Sequence, residues 1–264
     1  MAAAPALSIV VPAFQEEARL PGSLRKIASY LESRTEKLAV EILVVDDGST
    51  DATASTAQEA GRSLSLPLRL IRLEENHGKG FAVRTGALAA KGALVLVTDA
   101  DLSTPIEEWE RLEAAKAPVA IGSRAVDESL VKKSQPFFRV FVGKVFNKLV
   151  RALAVGGIGD TQCGFKLFTN EAAREIFSRA TIDRFAYDVE ALLLARRLGY
   201  EIAEVPVLWF NSPESRVSLA GGMQAYLDLF RIRFRVARAM RRGSANRSEM
   251  AGGRGAGRAR LPDA

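Results

Sequence analysis

Two carboxylates two residues apart, Asp99 and Asp101 in Thr98-Asp99-Ala100-Asp101-Leu102-Ser103, close the apolar run Ala93-Leu94-Val95-Leu96-Val97. An apolar run ended by acids reads as a buried strand that stops at the edge of a site. Along extended backbone, residues i and i+2 project the same way, so the pair can converge on one point. Like charges that close are costly without a cation between them. A divalent ion carrying phosphates suits them, because Mg²⁺ takes one or two carboxylates and completes its shell with substrate oxygens. The plainer alternative is a solvated turn in which an Asp caps a helix.

Other stretches carry related chemistry. In VVDDGSTDAT (44–53), Gly48 permits a tight turn and Ser49 or Asp51 can cap the next helix, which leaves Asp47 to accept from a nucleobase N–H or ribose hydroxyls. In NHGKGFAVRTG (76–86), two glycines allow close backbone approach, and Lys79 and Arg84 place positive charge near a helix start, a phosphate environment. A G-x-G-x-x-G fingerprint fails there, since its third glycine falls on Val83. The only histidine, His77, has no partner in sequence to orient it and reads as a surface or capping residue. Arg124, Lys132, Lys133 and Arg139 form a basic stretch that can face solvent or, opposite an acidic metal site, hold a second anion. Cys163, the only cysteine, lacks a positioned base and reads as no nucleophile. Asp188 and Glu190 open a helix, where acids suit the dipole as well as catalysis.

These residues need a scaffold that gathers strand ends. Strand-like runs at Leu7–Val11, Val40–Val45, Leu68–Leu73, Ala93–Thr98 and Val119–Ile121 alternate with helical stretches at about 22–33, 51–62, 80–91 and 106–115. That alternation predicts an α/β fold with a mostly parallel sheet and right-handed crossovers. Ligands collect at the carboxyl ends of such strands, where PAFQEE (12–17), DDGSTD (46–51) and Thr98–Ser103 lie. Beyond Gly122 the pattern changes to a polar loop at 123–136, a helix at about 137–153, the segment 160–169 and a helix at roughly 186–198. Strand character at Ile202–Trp209, a loop at Asn211–Arg216 and a last helix from Gly221–Gly222 complete the ordered part.

With 264 residues, 48% of them hydrophobic, the chain can bury one sizeable core. The organisation expected is one domain over 1–242, split into 8–105, 106–220 and a C-terminal amphipathic helix at 221–242, then a disordered Arg/Gly-rich tail at 243–264. The formal net charge of +6 is uneven. From Arg231 onward ten Arg face only Glu249 and Asp263, a local +8, against 27 basic and 29 acidic groups in the preceding 230 residues. Such asymmetry points to an anionic surface, membrane or nucleic acid. Neither a signal peptide nor a run of 18 apolar residues is found, which predicts a cytoplasmic-type protein.

Taken together, PAFQEE, VVDDGSTD, NHGKG and DADLS resemble glycosyltransferase family 2, of GT-A fold, in the family's order. GSR (122–124), QPFFRVFVGKVFNKLV (135–150), DTQCGFKLF (160–168) and YDVEALLLARRLGY (187–200) resemble its dolichyl-phosphate β-glucosyltransferase branch, and the likeness spans about residues 8–240. The resemblance implies that Pro12, Phe14, Glu16 and Asp47 line the base and ribose, that Lys79 and Arg84 serve the donor side, and that Asp99 meets the ribose or sugar beside the metal. It implies Mg²⁺ or Mn²⁺ on Asp101, and phosphates of donor and acceptor held by Arg124, Lys133 and Arg139. Ser103 stands where a relative has a Gln ligand, which leaves the third protein ligand open. The reaction implied is inverting transfer of glucose from UDP-glucose to a polyprenyl phosphate. Such an acceptor, with a second pKa of about 6, is already anionic near neutral pH, so Asp160 and Asp188 become positioning candidates rather than obligatory bases.

A lipid acceptor asks for a membrane surface. On a helical wheel Met223, Tyr226, Leu227, Phe230, Phe234 and Ala237 share one face, while Arg231, Arg235, Arg238 and Arg242 form another stripe. That pattern suits a helix lying in a membrane interface, or one covering the sheet with a solvated basic side. Three rivals remain in view. The same transfer from GDP-mannose changes only the donor. A sugar-1-phosphate nucleotidyltransferase would need a Gly-rich loop where PAFQEE stands, and a nucleic-acid binder through the Arg tail would leave the strand-end acids unexplained, so no nucleic-acid partner is expected.

Overall fold

The computed structural model of the chain describes residues 4–35, 37–64, 67–132 and 156–210, together with Ile232 and Val236. Its first half is a run of β–α units: β1 (Leu7–Ala13), α1 (Leu20–Ser33), β2 (Val40–Asp46), α2 (Thr53–Ser63), β3 (Leu68–Arg72), α3 (Lys79–Ala89) and β4 (Leu94–Val97). A 3₁₀ turn at Ile106–Glu108 leads into α4 (Trp109–Ala114) and β5 (Val119–Ser123). The remaining elements are β6 (Val131–Lys132), β7 (Lys166–Thr169), α5 (Asn170–Phe177), α6 (Tyr187–Arg197), β8 (Ile202–Pro206) and β9 (Trp209–Phe210).

Seven strands form one sheet in the order β3-β2-β1-β4-β7-β5-β8, and β6 pairs with β9 apart from it. All neighbours in the sheet are parallel except β7, which runs antiparallel to both β4 and β5. The strands are continuous apolar runs because both faces are covered. Val10, Leu43, Val45, Val95 and Val97 pack in one core with Ala82, Val83, Ile176 and Leu192 of the helices. Their neighbours Ile9, Val11, Ile42, Val44 and Leu96 pack in a second core with Leu24, Ile27, Trp109 and Leu112. The period of two along each strand thus feeds two helical layers.

The strands and helices expected before Gly122 are present within a few residues of their predicted bounds. The expected run Ile202–Trp209 is instead two strands, broken at Val207 and Leu208. The segment 160–169, for which no element was expected, ends in β7, and α5 follows it with the Thr169 hydroxyl capping the Ala172 N–H at 3.3 Å. A cap of that kind contributes about 1 kcal/mol. Among the described residues no helix is long and apolar enough to cross a membrane. The expected helix at 137–153, the loop from 211, most of the 221–242 helix and the 243–264 tail lie outside the described residues. Ile232 and Val236, one helical turn apart, are both helical and fully buried in the first core.

Candidate active site

At the ends of β1 and β2 two loops are laced together by short polar side chains. The Gln15 N–H donates to Ser49 Oγ at 2.9 Å, the Glu16 N–H to Thr53 Oγ1 at 2.7 Å, and the Ala52 N–H to Glu17 at 2.8 Å. Gln15 turns the chain with φ 58°. The expected nucleotide residues here have unequal access. Pro12 is buried in β1 opposite Val45, beneath the surface rather than lining it. Glu16 gives its carboxylate to Arg19 at 2.5 Å. Phe14 is 40% exposed, so its ring alone of these three is open to a base.

Asp47, expected at the base and ribose, is held by loop donors. Its Oδ1 accepts from the His77 N–H at 3.0 Å, and its Oδ2 accepts from the Gly78 N–H at 2.8 Å and Asn76 Nδ2 at 2.9 Å. Three donors fill most of the roughly four lone-pair positions of a carboxylate, and the residue is only 2% exposed. Burial raises its pKa, with the two backbone N–H groups working against that rise. In this structure Asp47 shapes the loop that opens α3. Arg84, expected on the donor side, donates to the Ala180 carbonyl at 3.1 Å, pairs with Asp183 at 2.8 Å and stacks on Phe81. His77 is half-buried and stacks on Phe81.

The ends of β4, β5 and β7 are held by charge. Lys79, first residue of α3, reaches Asp99 Oδ1 at 2.5 Å. Burial would lower the Lys79 pKa, but the Asp99 and Asp188 carboxylates raise it. Burial would raise that of Asp99, but Lys79, with Lys166 and Arg124 beyond it, holds it below the usual carboxylate range. Asp101 differs from both. Its Oδ1 accepts the Ser103 N–H at 2.9 Å, and it enters no ion pair among the described residues. Asp101 therefore keeps lone pairs for a cation. Among the described residues no three His, Cys, Asp or Glu gather around a common point; one carboxylate such as Asp101 suits a Mg²⁺-like ion, which takes one or two carboxylates with waters and substrate phosphate oxygens.

Arg124, just past β5, forks onto Asp160 with Nε–Oδ2 at 2.6 Å and Nη2–Oδ1 at 2.9 Å, and lies over the Trp209 ring. A bidentate pair of this type is strong and directional. Asp160, 3% exposed at its side chain, would have its pKa raised by burial, but Arg124 drives it down. Lys166 of β7 is buried and pairs with Asp188 of the first turn of α6, also donating to the Cys163 carbonyl. Glu190 instead accepts from the Thr181 and Ile182 N–H groups and the Thr181 hydroxyl, a structural task. Burial pushes the Cys163 thiol up, which leaves it a poor nucleophile.

Lys166, Glu204 and Trp209 complete the site without having been singled out from sequence. Glu204 accepts from Ser123 Oγ at 2.6 Å and from the Gly159 and Asp160 N–H groups at 2.8 Å, so it sets the turn that presents Asp160. The charged Lys inside the apolar Gly-Phe-Lys-Leu-Phe was the available signal for a buried ion pair. Lys133 and Arg139 lie outside the described residues.

A family model described as Glycosyl transferase family 2 matches residues 8–177. The dolichyl-phosphate beta-glucosyltransferase of Dictyostelium discoideum is 40% identical over 243 residues, covering 87% of this chain and 74% of its own length. The Homo sapiens protein of the same name is 40% identical over 248 residues, covering 87% and 75%. A solved glucosyl-3-phosphoglycerate synthase from Mycobacterium tuberculosis, in complex with Mn²⁺ and UDP-glucose, superposes with a TM-score of 0.62 at 19% identity, covering 86% of this chain and 79% of that one. That last likeness is one of fold.

Proposed function

The chain belongs to glycosyltransferase family 2, and from that premise we propose that it transfers glucose from UDP-glucose to a polyprenyl, dolichyl-type phosphate with inversion. The observation that carries the reading is the charge pattern where β4 and β7 meet: Asp99 paired with Lys79, and Asp101 beside it with no ion pair among the described residues. A nucleotide diphosphate arriving with a divalent ion fits that asymmetry. The relatives named above act on dolichyl phosphate, and the solved neighbour holds UDP-glucose with Mn²⁺.

In this reading Asp101 holds Mg²⁺ or Mn²⁺, and Asp99, fixed by Lys79, faces the ribose or sugar. When bound, the ion offsets charge that develops on the leaving diphosphate. Phe14 offers its exposed ring to the base. Arg124 is always cationic, and its fork on Asp160 uses Nε and Nη2, so that among the described residues Nη1 is the nitrogen offered to a phosphate. An acceptor phosphate oxygen attacks the anomeric carbon on the face opposite the diphosphate; the new C–O bond forms as the bond to the UDP oxygen breaks. The acceptor is already anionic at neutral pH, so no proton has to be removed. Asp160 and Asp188 are each tied to a cation, which suits a reaction without a strong base.

Access to a lipid phosphate is supplied, in the same reading, by peripheral contact of the C-terminal helix with an anionic membrane. Ile232 and Val236 are buried in the core, and on the wheel drawn from the sequence they stand opposite the stripe of Met223, Phe230 and Phe234.

The test uses the purified full chain, Mg²⁺ or Mn²⁺, polyprenyl phosphate, and radiolabelled UDP-glucose or GDP-mannose. Label is expected in the lipid phase from UDP-glucose. Label from GDP-mannose alone would change the donor, and label from neither would overturn the function. Vesicle flotation checks the membrane part: binding is expected to need anionic lipid and to weaken with salt.

A further inference from the structure

Strand β7 does more than fill a gap in the sheet. Its antiparallel register on β4 pairs Leu94 with Thr169 and Val97 with Lys166. Continued past the last hydrogen-bonded pair, the same register sets Gly164 opposite Asp99. The side-chain geometry agrees. A Cβ built on Gly164 would stand 2.2 Å from Asp99 Oδ2, 2.6 Å from Cγ and 2.7 Å from Oδ1. At Gly48 and Gly80 the nearest obstacle to a Cβ is backbone, at 2.4 Å in both cases. At Gly164 all three nearest atoms belong to one short, partly exposed carboxylate.

We propose that Gly164 is a positioning residue for Asp99: its bare Cα leaves the space in which Oδ2 rests, while Lys79 holds Oδ1. Lys166 supports the arrangement by holding the Cys163 carbonyl next to Gly164 while paired with Asp188. A methyl group at 164 would overlap the carboxylate, so the Asp99 side chain has to leave its present position and with it the contact with Lys79. The cost therefore falls on the site rather than on the fold. In terms of the proposed reaction, on which this inference rests, the group displaced is the one that faces the ribose or sugar of the donor.

A double-mutant cycle on the full chain tests it, with UDP-glucose affinity measured by calorimetry in the presence of Mn²⁺ and melting temperature measured alongside. Gly164→Ala is expected to weaken UDP-glucose by about tenfold, the scale of one lost charge-assisted contact, with little change in melting temperature. In an Asp99→Ala background the same substitution is expected to change affinity by less than about twofold, since the group it displaces is gone. Equal weakening in both backgrounds, or no weakening in either, would overturn the proposal. A second measurement reads the contact without the donor: the side-chain NMR titration of Lys79. Its pKa, held up by Asp99, is expected to fall in Gly164→Ala, and an unchanged titration overturns the proposal. If wild-type protein fails to bind UDP-glucose while the Lys79 titration shifts as expected, the donor reading is lost and the positioning role of Gly164 stands.

Discussion

The two halves of the site use acids differently. At the ends of β1 and β2 the carboxylates bind mostly to backbone: Asp46 to the Ser49 N–H, Asp47 to the N–H groups of His77 and Gly78, Asp51 to that of Thr53, and Glu17 to that of Ala52. At the ends of β4, β5 and β7 they bind cations: Asp99 with Lys79, Asp160 with Arg124, Asp188 with Lys166. The first half uses carboxylates to fix the shape of loops, and the second uses them to set a balance of charge. Asp101 lies in the second half yet carries the first half's kind of contact, accepting the Ser103 N–H and entering no ion pair among the described residues, and the metal proposed above is placed on that exception. A cluster of acids at a strand end is thus not one signal but two, and partner type separates them.

The strongest challenge to that division is Asp101→Ala. If Asp101 carries the ion, glucosyl transfer is expected to fall on the order of 10²- to 10³-fold, as when a preorganised charge-stabilising group is removed, with the melting temperature nearly unchanged. Activity that survives both this substitution and a chelator would put Asp101 back among loop-shaping acids.

Next in size is the Arg124–Asp160 pair. Arg124→Met leaves a buried carboxylate without its partner, a loss of about 3–5 kcal/mol, read in chemical denaturation. The double variant Arg124→Met/Asp160→Leu removes the orphaned charge and is expected to recover most of the stability without recovering transfer. Recovery of both would show that the pair is structural only. Failure to recover stability would point instead to the backbone N–H groups of residues 124 and 162, which both donate to Asp160 at 3.1 Å and would lose their acceptor.

The same contrast explains what could be read without coordinates. Strands such as Val40–Asp46 and helices such as Leu20–Ser33 are local patterns, apolar periods of two or 3.6, and both stand near their predicted places. Strand β7 is four residues long with a lysine first, too short and too polar to show a period, and its partners lie about 45 and 70 residues upstream. The candidate residues were legible by type, but their partners were not. Asp47 meets a loop 29 to 31 residues away and Arg124 an acid 36 away, and only the folded sheet brings them together. Hence the loop contacts that Asp47 and Arg84 make in the structure could not be read from their types and spacing.

The smallest effect also divides the halves, because the two kinds of acid titrate with opposite sign. Burial raises the pKa of Asp47, so the folded state binds its proton more tightly than the unfolded chain, where an Asp titrates near about 3.9. Its contribution to stability is full below that value and is lost as pH rises through the raised folded pKa. Arg124 lowers the pKa of Asp160 against the effect of burial, so its contribution is present above about 3.9 and lost as pH falls through the lowered folded value. Denaturant melts across this range are therefore expected to respond differently to two substitutions. Asp47→Asn should remove a decline in stability on the neutral side of about 3.9, and Asp160→Asn should remove a decline on the acid side. Slopes of the same sign in the two variants would mean that the loop-shaping and charge-balancing acids are not distinct in energy, whatever their partners.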